Sequence, residues 1–315
     1  MSFVLKASIV ISTFNGEKYI LECLKSITNQ SEKNFEVIII NDGSTDNTAK
    51  IVEDYIKEDK RFSLHNQKNE GMGGSLNFAI DLAKSNIIFR IDDDDIMEPN
   101  RLERQLEFLN KNKDVSFSSS FYKLINSEGK VIGKKKSELI NFEKVKEKIN
   151  KDIVLGILHP GAVFYKKDFL YVGGYRPYFW PCEDIDLWSR FIEKGYKLKV
   201  QEEYLMKYRI HNKSISMSDF YSNEIQFKWV KECTKSRRRK LKEPSKEEFL
   251  NKYIPKNFLT KLNFFRKIYG RYYFYCSKNQ YIKESYFKFI LYILITFFLR
   301  PNLVINKIKI ISLVF

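Results

Sequence analysis

Between residue 7 and about residue 120, short apolar runs alternate with stretches of helical periodicity. The apolar runs predict strands at 7–12, 35–41, 61–65, 86–91 and 114–120. The stretches between them predict helices near 16–29, 46–58, 73–84 and 99–111. Because such runs are typical of strands buried on both faces, the pattern predicts an α/β fold with a Rossmann-like, mainly parallel central sheet.

Polar loops follow three of these predicted strands. They contain Thr13-Phe14-Asn15, Asn41-Asp42-Gly43-Ser44 and Asp92-Asp93-Asp94-Asp95. Right-handed crossovers bring the carboxyl ends of parallel strands to one edge of the sheet, where open α/β sheets bind ligands. The three loops are therefore predicted to line one crevice, and a nucleotide is the ligand expected there.

The four consecutive aspartates are the strongest chemical signal in the chain. Carboxylates this close raise one another's pKa unless a cation neutralises them. Ligands that offer only oxygen favour a hard divalent ion, so we expect Mn²⁺ or Mg²⁺ here, in a position to carry a diphosphate. A solvated acidic loop, or acids placed before the helix that follows Pro99, is the alternative for an acidic run on its own.

Two further segments bear on nucleotide binding. The Asp42 carboxylate is placed to accept hydrogen bonds from a base or a ribose, or else from the amides of its own turn. The glycine-rich segment Glu70–Ser75 lacks the ending of a phosphate-binding P-loop and a complete dinucleotide fingerprint, so it indicates either a close approach to a ligand or a simple helix entry. Asn77, one turn further on, is a weaker candidate for a nucleotide contact.

Acids and a histidine later in the chain are candidates for catalysis and metal binding. Glu183 and Asp184 begin a predicted helix, where acids usually complement the helix dipole. An acid there acts as a general base if it lies within hydrogen-bond reach of an acceptor hydroxyl. His211, which follows Arg209 and Ile210, is a candidate for binding metal or diphosphate, although a lone histidine is also common in structural roles.

Positive charge is concentrated in the C-terminal third. Residues 216–315 contain 21 Lys and Arg against 7 Asp and Glu, a net +14 of the total +16. We therefore divide the chain into a nucleotide-binding and catalytic region, 1–215, and a basic, aromatic and mostly helical extension, 216–315.

Phe289–Leu299 are eleven uncharged residues, too few for the roughly 20 that span a bilayer. The extension is predicted either to bind an anionic membrane surface or to form a helical cap or homodimer interface.

The cysteines and the N-terminus bear on the compartment. Four cysteines lie far apart without metal-binding spacing, as expected of free thiols in a reducing environment. The first residues run into a predicted strand without the pattern of a secretory signal. We expect a cytoplasmic protein, peripheral on the inner face of the cell membrane.

Four segments, taken in order, resemble the family 2 glycosyltransferases. They are Ile9–Asn15, Asn41–Asp46, Asp92–Asp95 before Pro99–Leu102, and Glu183–Asp184 before Leu187-Trp188. The resemblance covers about residues 5–215. It implies a GT-A fold and transfer from a nucleotide-sugar donor, by default a UDP-sugar, with inversion at the anomeric carbon. It further implies a glycan or lipid-linked acceptor in bacterial surface-polysaccharide synthesis.

The resemblance also implies roles for individual residues. Thr13, Phe14 and Asn15 would line the nucleoside pocket, with Asp42 at the base or ribose. The DxD motif falls on Asp92 and Asp94. Asp93 and Asp94 would lie nearest the donor, and Asp94 would bind the metal directly. His211 is a further candidate metal ligand from its own place in the sequence. Asp184 would be the catalytic base, with Glu183 beside it.

Two other functions compete with this interpretation. Sugar-phosphate nucleotidyltransferases share the architecture, but they usually carry a glycine-rich basic loop after the first strand, where this chain has Thr13-Phe14-Asn15-Gly16. A nucleic-acid-binding protein would use the basic extension, yet no nucleic-acid-binding motif accompanies the charge. We therefore expect no nucleic-acid partner.

Overall fold

The computed structural model describes residues 5–211, 220–282 and 285–305, without the side chains of residues 278, 279, 281 and 282. The chain forms two compact units, residues 1–212 and 213–315. The boundary predicted after residue 215 lies outside the described residues.

The first unit alternates strands and helices along its N-terminal half. Its strands are β1 (Ala7–Thr13), β2 (Phe35–Asn41), β3 (Phe62–Asn66), β4 (Ile87–Arg90), β5 (Ile96–Met97), β6 (Val115–Ser118), β7 (Ser120–Ile125), β8 (Val131–Lys135), β9 (Val163–Tyr165), β10 (Lys197–Leu198) and β11 (Gln201–Arg209). Its α-helices are α1 (Ile20–Thr28), α2 (Thr48–Ile56), α3 (Gly71–Leu82), α4 (Arg101–Lys111), α5 (Phe142–Asn150), α6 (Lys166–Tyr171) and α7 (Glu183–Glu193). Short 3₁₀ turns lie at His159–Gly161 and Pro177–Phe179.

Two sheets organise this unit. The larger has seven strands in the order β10-β6-β9-β4-β1-β2-β3, and the smaller has four in the order β5-β11-β7-β8. In the larger sheet β1 pairs in parallel with β2 and β4, and β2 pairs in parallel with β3, whereas β9 runs antiparallel to β4 and β6. The predicted α/β fold with a mainly parallel sheet is confirmed.

Side chains that alternate along the central strands build a core on each face of the larger sheet. Ile9 and Ile11 of β1 pack in the cluster that contains Leu24 of α1, while Val10 packs in the opposite cluster with Leu76 of α3. Successive residues of a strand point to opposite faces, so a continuous apolar run fills both cores. This burial holds the carboxyl ends of β1, β2 and β4 at one edge.

The predicted strand at 114–120 is two strands in the structure. The chain leaves the larger sheet at the end of β6 and enters the smaller one at β7, with Ser119 between them. The Ser119 hydroxyl donates to the Leu158 carbonyl, and its own carbonyl accepts from the Gln201 amide. These polar partners end the pairing of β6, which an apolar pattern alone does not reveal.

The helix predicted from residue 16 begins four residues later. The amide of Asn15 donates to the Ser44 hydroxyl and that of Gly16 to the Thr48 hydroxyl. Asn15 also has a φ of 54°, in the left-handed region. Residues 14–19 are therefore held as a loop against the loop after β2.

The second unit is helical among its described residues, as predicted. It contains α8 (Phe220–Arg238), α9 (Lys246–Tyr253), α10 (Phe258–Ile282) and α11 (Tyr286–Leu299). A capping box of Ser245 and Glu248 starts α9. The rings of Tyr273 and Tyr292 meet at 5.8 Å between α10 and α11. In the described part of the chain, none of the helices has the length and apolarity needed to cross a membrane.

Candidate active site

The loops after β1 and β4 meet through a direct hydrogen bond. Oγ1 of Thr13 donates to Oδ2 of Asp93 at 2.5 Å. Gly16 lies against this pair, because a Cβ there would be 2.2 Å from Asp93 Oδ2 and 2.7 Å from Thr13 Oγ1. A larger residue here would displace the Thr13 and Asp93 side chains, so glycine allows the two loops to stay joined.

The loops after β1 and β2 are joined in the same way. Oδ1 of Asn15 accepts from the Thr45 amide at 2.8 Å. Asp42 is buried, and its Oδ1 accepts from Gln67 Nε2 at 2.7 Å and from the Glu70 amide at 2.9 Å. One oxygen of Asp42 thus satisfies local donors, and Oδ2 has no hydrogen-bond partner among the described residues.

Three of the four aspartates converge, and the fourth points away from them. Asp92, Asp94 and Asp95 each offer a carboxylate oxygen, and these oxygens lie within 4.8 Å of one another. Asp93 instead faces Thr13. Nε2 of His211 lies 2.8 Å from Oδ2 of Asp94. The structure therefore brings the predicted metal residues Asp94 and His211 together and adds Asp95, which the sequence reasoning did not assign.

This donor set fits a hard divalent ion. Asp95 is fully buried, and its Oδ2 has no hydrogen-bond partner among the described residues. Burial raises the pKa of Asp92 and, more strongly, that of Asp95. Burial and the charge of Asp94 raise the pKa of Asp93 to about 7. A divalent ion would offset this desolvation and repulsion, and carboxylate oxygens with one imidazole suit Mn²⁺ or Mg²⁺.

Two buried arginines bind the aspartate loop through an ion pair and hydrogen bonds. Arg90, the last residue of β4, forms an ion pair with Asp92. Arg209, the last residue of β11, donates from its amide to Asp95 Oδ1 at 2.8 Å and from Nε to the Asp94 carbonyl at 2.7 Å. Sequence reasoning missed both roles. The available signal was an arginine within or beside an apolar strand, since a buried guanidinium needs partners.

Glu183 and Asp184 occupy the first turn of α7. Burial raises the pKa of Asp184 to about 6, and burial together with the charge of Asp184 raises the pKa of Glu183 to about 8. A helix N-terminus alone favours the charged form of an acid, so burial outweighs the dipole here. At pH 7 Asp184 is mainly ionised and Glu183 mainly protonated, which suits Asp184 to accept a proton.

Charges beside the aspartate loop act on the pKa values of Glu183 and Asp184. The charge of Arg90 lowers the pKa of Asp184 and of Glu183, whereas that of Asp92 raises it. Gly73 on α3 brings the chain segments close, because a Cβ there would lie 3.3 Å from Pro177 Cα and 3.6 Å from Glu183 Cγ. Arg90 and Asp92 therefore lie close enough to Glu183 and Asp184 for their charges to act on both acids.

Asn77 has a different role from the one predicted. Its Nδ2 donates to the Tyr175 carbonyl at 2.9 Å, and its Oδ1 accepts from the Tyr175 amide at 2.8 Å. Both ends of the amide are thus used on the backbone of one residue. Asn77 holds the segment that leads to α7, and we leave it out of the nucleotide site.

The chain is similar in sequence to known glycosyltransferases. Residues 8–173 match the family model "Glycosyl transferase family 2". An uncharacterised glycosyltransferase of Methanocaldococcus jannaschii, MJ1057, is 34% identical over 214 residues, covering 67% of this chain and 73% of the relative. The Escherichia coli O-antigen biosynthesis glycosyltransferase WbnJ is 32% identical over 240 residues, covering 73% of this chain and 89% of the relative.

A solved structure shares the fold at lower identity. Residues 1–349 of Staphylococcus aureus TarS, in a complex with UDP, superpose with a TM-score of 0.56 and 18% sequence identity. The match covers 85% of this chain and 80% of that one.

Proposed function

The chain belongs to glycosyl transferase family 2, and from that premise we propose an inverting transfer of a sugar from a UDP-sugar to a hydroxyl of a glycan or lipid-linked acceptor, in bacterial surface-polysaccharide synthesis. The observation that carries the proposal is the cluster of Asp92, Asp94 and Asp95 at the sheet edge, whose Asp92 acts electrostatically on Asp184. The relative WbnJ acts in O-antigen biosynthesis, and the structural neighbour TarS binds UDP. This assignment replaces the nucleotidyltransferase and nucleic-acid-binding alternatives.

The donor would lie across the three loops. Thr13, Phe14 and Asn15 would line the nucleoside, and the remaining oxygen of Asp42 would accept from the base or ribose. Phe14 is half exposed in this loop, which leaves its ring available for stacking. Asp93, held by Thr13, would complete the nucleotide contacts.

The diphosphate would lie over the aspartate loop. A divalent ion, Mn²⁺ or Mg²⁺, held by Asp94 and His211 with Asp92 and Asp95 beside them, would stabilise negative charge on the leaving nucleoside diphosphate. The ion pair with Arg90 fixes the Asp92 carboxylate from the protein side.

Transfer follows as a single displacement. Asp184 removes the proton of the acceptor hydroxyl while that oxygen forms a bond to the anomeric carbon from the face opposite the diphosphate. The bond between the anomeric carbon and the diphosphate oxygen breaks, and the bonding electrons leave with UDP. Attack from the opposite face inverts the anomeric configuration. Glu183 is buried beside the base and mostly neutral at pH 7, so it does not place a second negative charge next to that of Asp184.

The pH dependence of turnover tests the assignment of the base. Since burial raises the pKa of Asp184 to about 6, the ionised fraction falls about tenfold for each pH unit below that value. We expect the logarithm of kcat/KM to fall by one unit for each pH unit below about pH 6. Above pH 7, kcat/KM should level off. UDP release from a panel of UDP-sugars, measured between pH 4.5 and 8, gives the profile. A flat profile through pH 5 in a folded enzyme would contradict a base with this pKa.

We further propose that α11 binds an anionic membrane surface. Its exposed apolar side chains include Phe287, Ile290, Leu294 and Phe298, whose spacing places them along one side of the helix. Fourteen residues of α-helix extend about 21 Å, less than the roughly 30 Å of a bilayer core. An apolar helix of this length in a region of net charge +14 is typical of one lying in the membrane interface.

Vesicle binding tests the membrane proposal. The double variant Leu294→Asp, Phe298→Asp removes two apolar side chains, each worth about 1.5–3 kcal/mol when buried, so binding should weaken roughly a hundredfold or more. The assay is co-sedimentation with vesicles containing phosphatidylglycerol. Leu170→Asp, at an exposed leucine of α6, is the matched control. Equal sedimentation of the double variant, or a homodimer that the same substitutions dissociate, would favour a protein interface instead.

A further inference from the structure

Arg209 connects the end of β11 to the aspartate loop and to two segments beside it. It is 1% exposed. Its amide and Nε bind Asp95 and the Asp94 carbonyl, as described above. Nη1 donates to the carbonyls of Asn126 at 3.1 Å and Ser127 at 3.3 Å, in the turn between β7 and β8. Nη2 forms an ion pair with Glu22 of α1 at 2.5 Å. One side chain thus links β11, α1, the β7–β8 turn and the aspartate loop.

His211 is aligned by the same arrangement. It follows Arg209 by two residues, and the two side chains contact the same ring of Tyr19, the guanidinium at 4.5 Å and the imidazole at 5.2 Å between centroids. His211 Nε2 then reaches Asp94 Oδ2 at 2.8 Å. The position of His211 relative to Asp94 therefore depends on where Arg209 anchors the end of β11.

We propose that Arg209 is a positioning residue for the divalent ion. Arg209 holds Asp94, Asp95 and His211 in the arrangement that binds the ion. The inference rests on the proposed function, which places the ion among these residues. Arg209 does not itself offer an atom to the ion, because a guanidinium only donates hydrogen bonds. Its side chain acts through the Asp94 carbonyl and through the direction of the chain at His211. The Asp95 carboxylate is held by the main-chain amide of Arg209, which stays in place when the end of β11 is anchored.

A lysine at this position keeps the charge but not the geometry. The guanidinium presents five donors in a rigid plane, and here they serve the Asp94 carbonyl, two carbonyls of the β7–β8 turn and the Glu22 carboxylate. An ammonium has three donors around one point and cannot reach these four partners together. Residues that orient metal ligands typically change metal affinity by about 10–100-fold when they are mutated.

The test measures the ion and the nucleotide separately. In Arg209→Lys, we expect the Kd for Mn²⁺, read from the free-ion signal in electron paramagnetic resonance with saturating UDP, to rise by about 10–100-fold. UDP binding in EDTA should stay within twofold, because Thr13, Asn15 and Asp42 are unchanged. Arg104→Lys is the matched control, since Arg104 forms a bidentate pair with Glu203 on the outer side of α4 and does not contact the aspartate loop. Mn²⁺ affinity within twofold of wild type in folded Arg209→Lys would overturn the proposal.

A second variant covers the case in which Arg209→Lys does not fold. The Glu22 side chain is about half exposed, so Glu22→Gln removes its charge with little effect on the core. It should weaken Mn²⁺ binding in the same direction and leave UDP binding in EDTA unchanged, whereas unchanged Mn²⁺ affinity would overturn the proposal. If wild type itself does not bind Mn²⁺, the proposed donor site fails, and the role of Arg209 fails with it.

Discussion

Replacement of Asp184 by asparagine is expected to abolish most turnover while the donor still binds. An amide cannot accept the acceptor proton, and a positioned general base typically contributes about 10²–10⁴-fold to the rate. We therefore expect kcat to fall by about that factor in Asp184→Asn. Calorimetry with UDP should give a Kd within twofold of wild type, because the three loops that would hold the nucleotide are unchanged. UDP release from the donor chosen by a UDP-sugar panel measures the loss.

Glu183→Gln is the matched comparison for this experiment. Since burial and the charge of Asp184 raise the pKa of Glu183 to about 8, the side chain is mostly neutral at pH 7, and glutamine replaces one neutral group by another. Its loss of turnover should be much smaller than that of Asp184→Asn. Near-normal turnover in Asp184→Asn would remove Asp184 as the base, and the reverse order of the two variants would assign the proton transfer to Glu183.

The second large effect is expected at Asp94. Asp94→Asn removes the negative charge of one carboxylate from the cluster and leaves a neutral amide facing His211. As a direct ligand, it should lower Mn²⁺ affinity by more than the roughly 10–100-fold typical of residues outside the ligand set. Mn²⁺-dependent UDP binding and sugar transfer should fall together.

Asp93→Asn distinguishes this arrangement from a general loss of negative charge. Asp93 faces Thr13 and lies outside the cluster of Asp92, Asp94 and Asp95. Its replacement should leave most of the Mn²⁺ affinity intact. If the two variants lose Mn²⁺ equally, the ligand register within the four aspartates is not the one proposed here.

The sequence was sufficient to predict which loops meet at one edge of the sheet. Apolar runs identified β1, β2 and β4, and the rule for parallel strands placed Thr13, Asp42 and the aspartates at one edge. The structure connects the corresponding loops through the bonds of Thr13 to Asp93 and of Asn15 to Thr45. The alternation of apolar runs with helices contains this information, because right-handed helical crossovers make successive strands of one sheet parallel.

The internal order of the aspartate loop could not be predicted in the same way. Four identical residues give no signal for which carboxylates converge, and that outcome depends on partners far along the chain. Asp95 is fixed by Arg209, 114 residues later, and Asp92 by Arg90. The contacts of Asn77 with Tyr175 are likewise 98 residues apart. Such pairings follow from packing between elements, which local patterns do not describe.

The most direct test of the proposed function is calorimetric titration of UDP into the wild-type protein, with Mn²⁺ and with EDTA. The proposal predicts saturable binding that tightens when Mn²⁺ is present, because the diphosphate and the aspartate loop would share the ion. A folded protein that binds UDP in neither condition would contradict a UDP-sugar donor at this site. Equal affinity in both conditions would contradict the role given to Asp94 and His211.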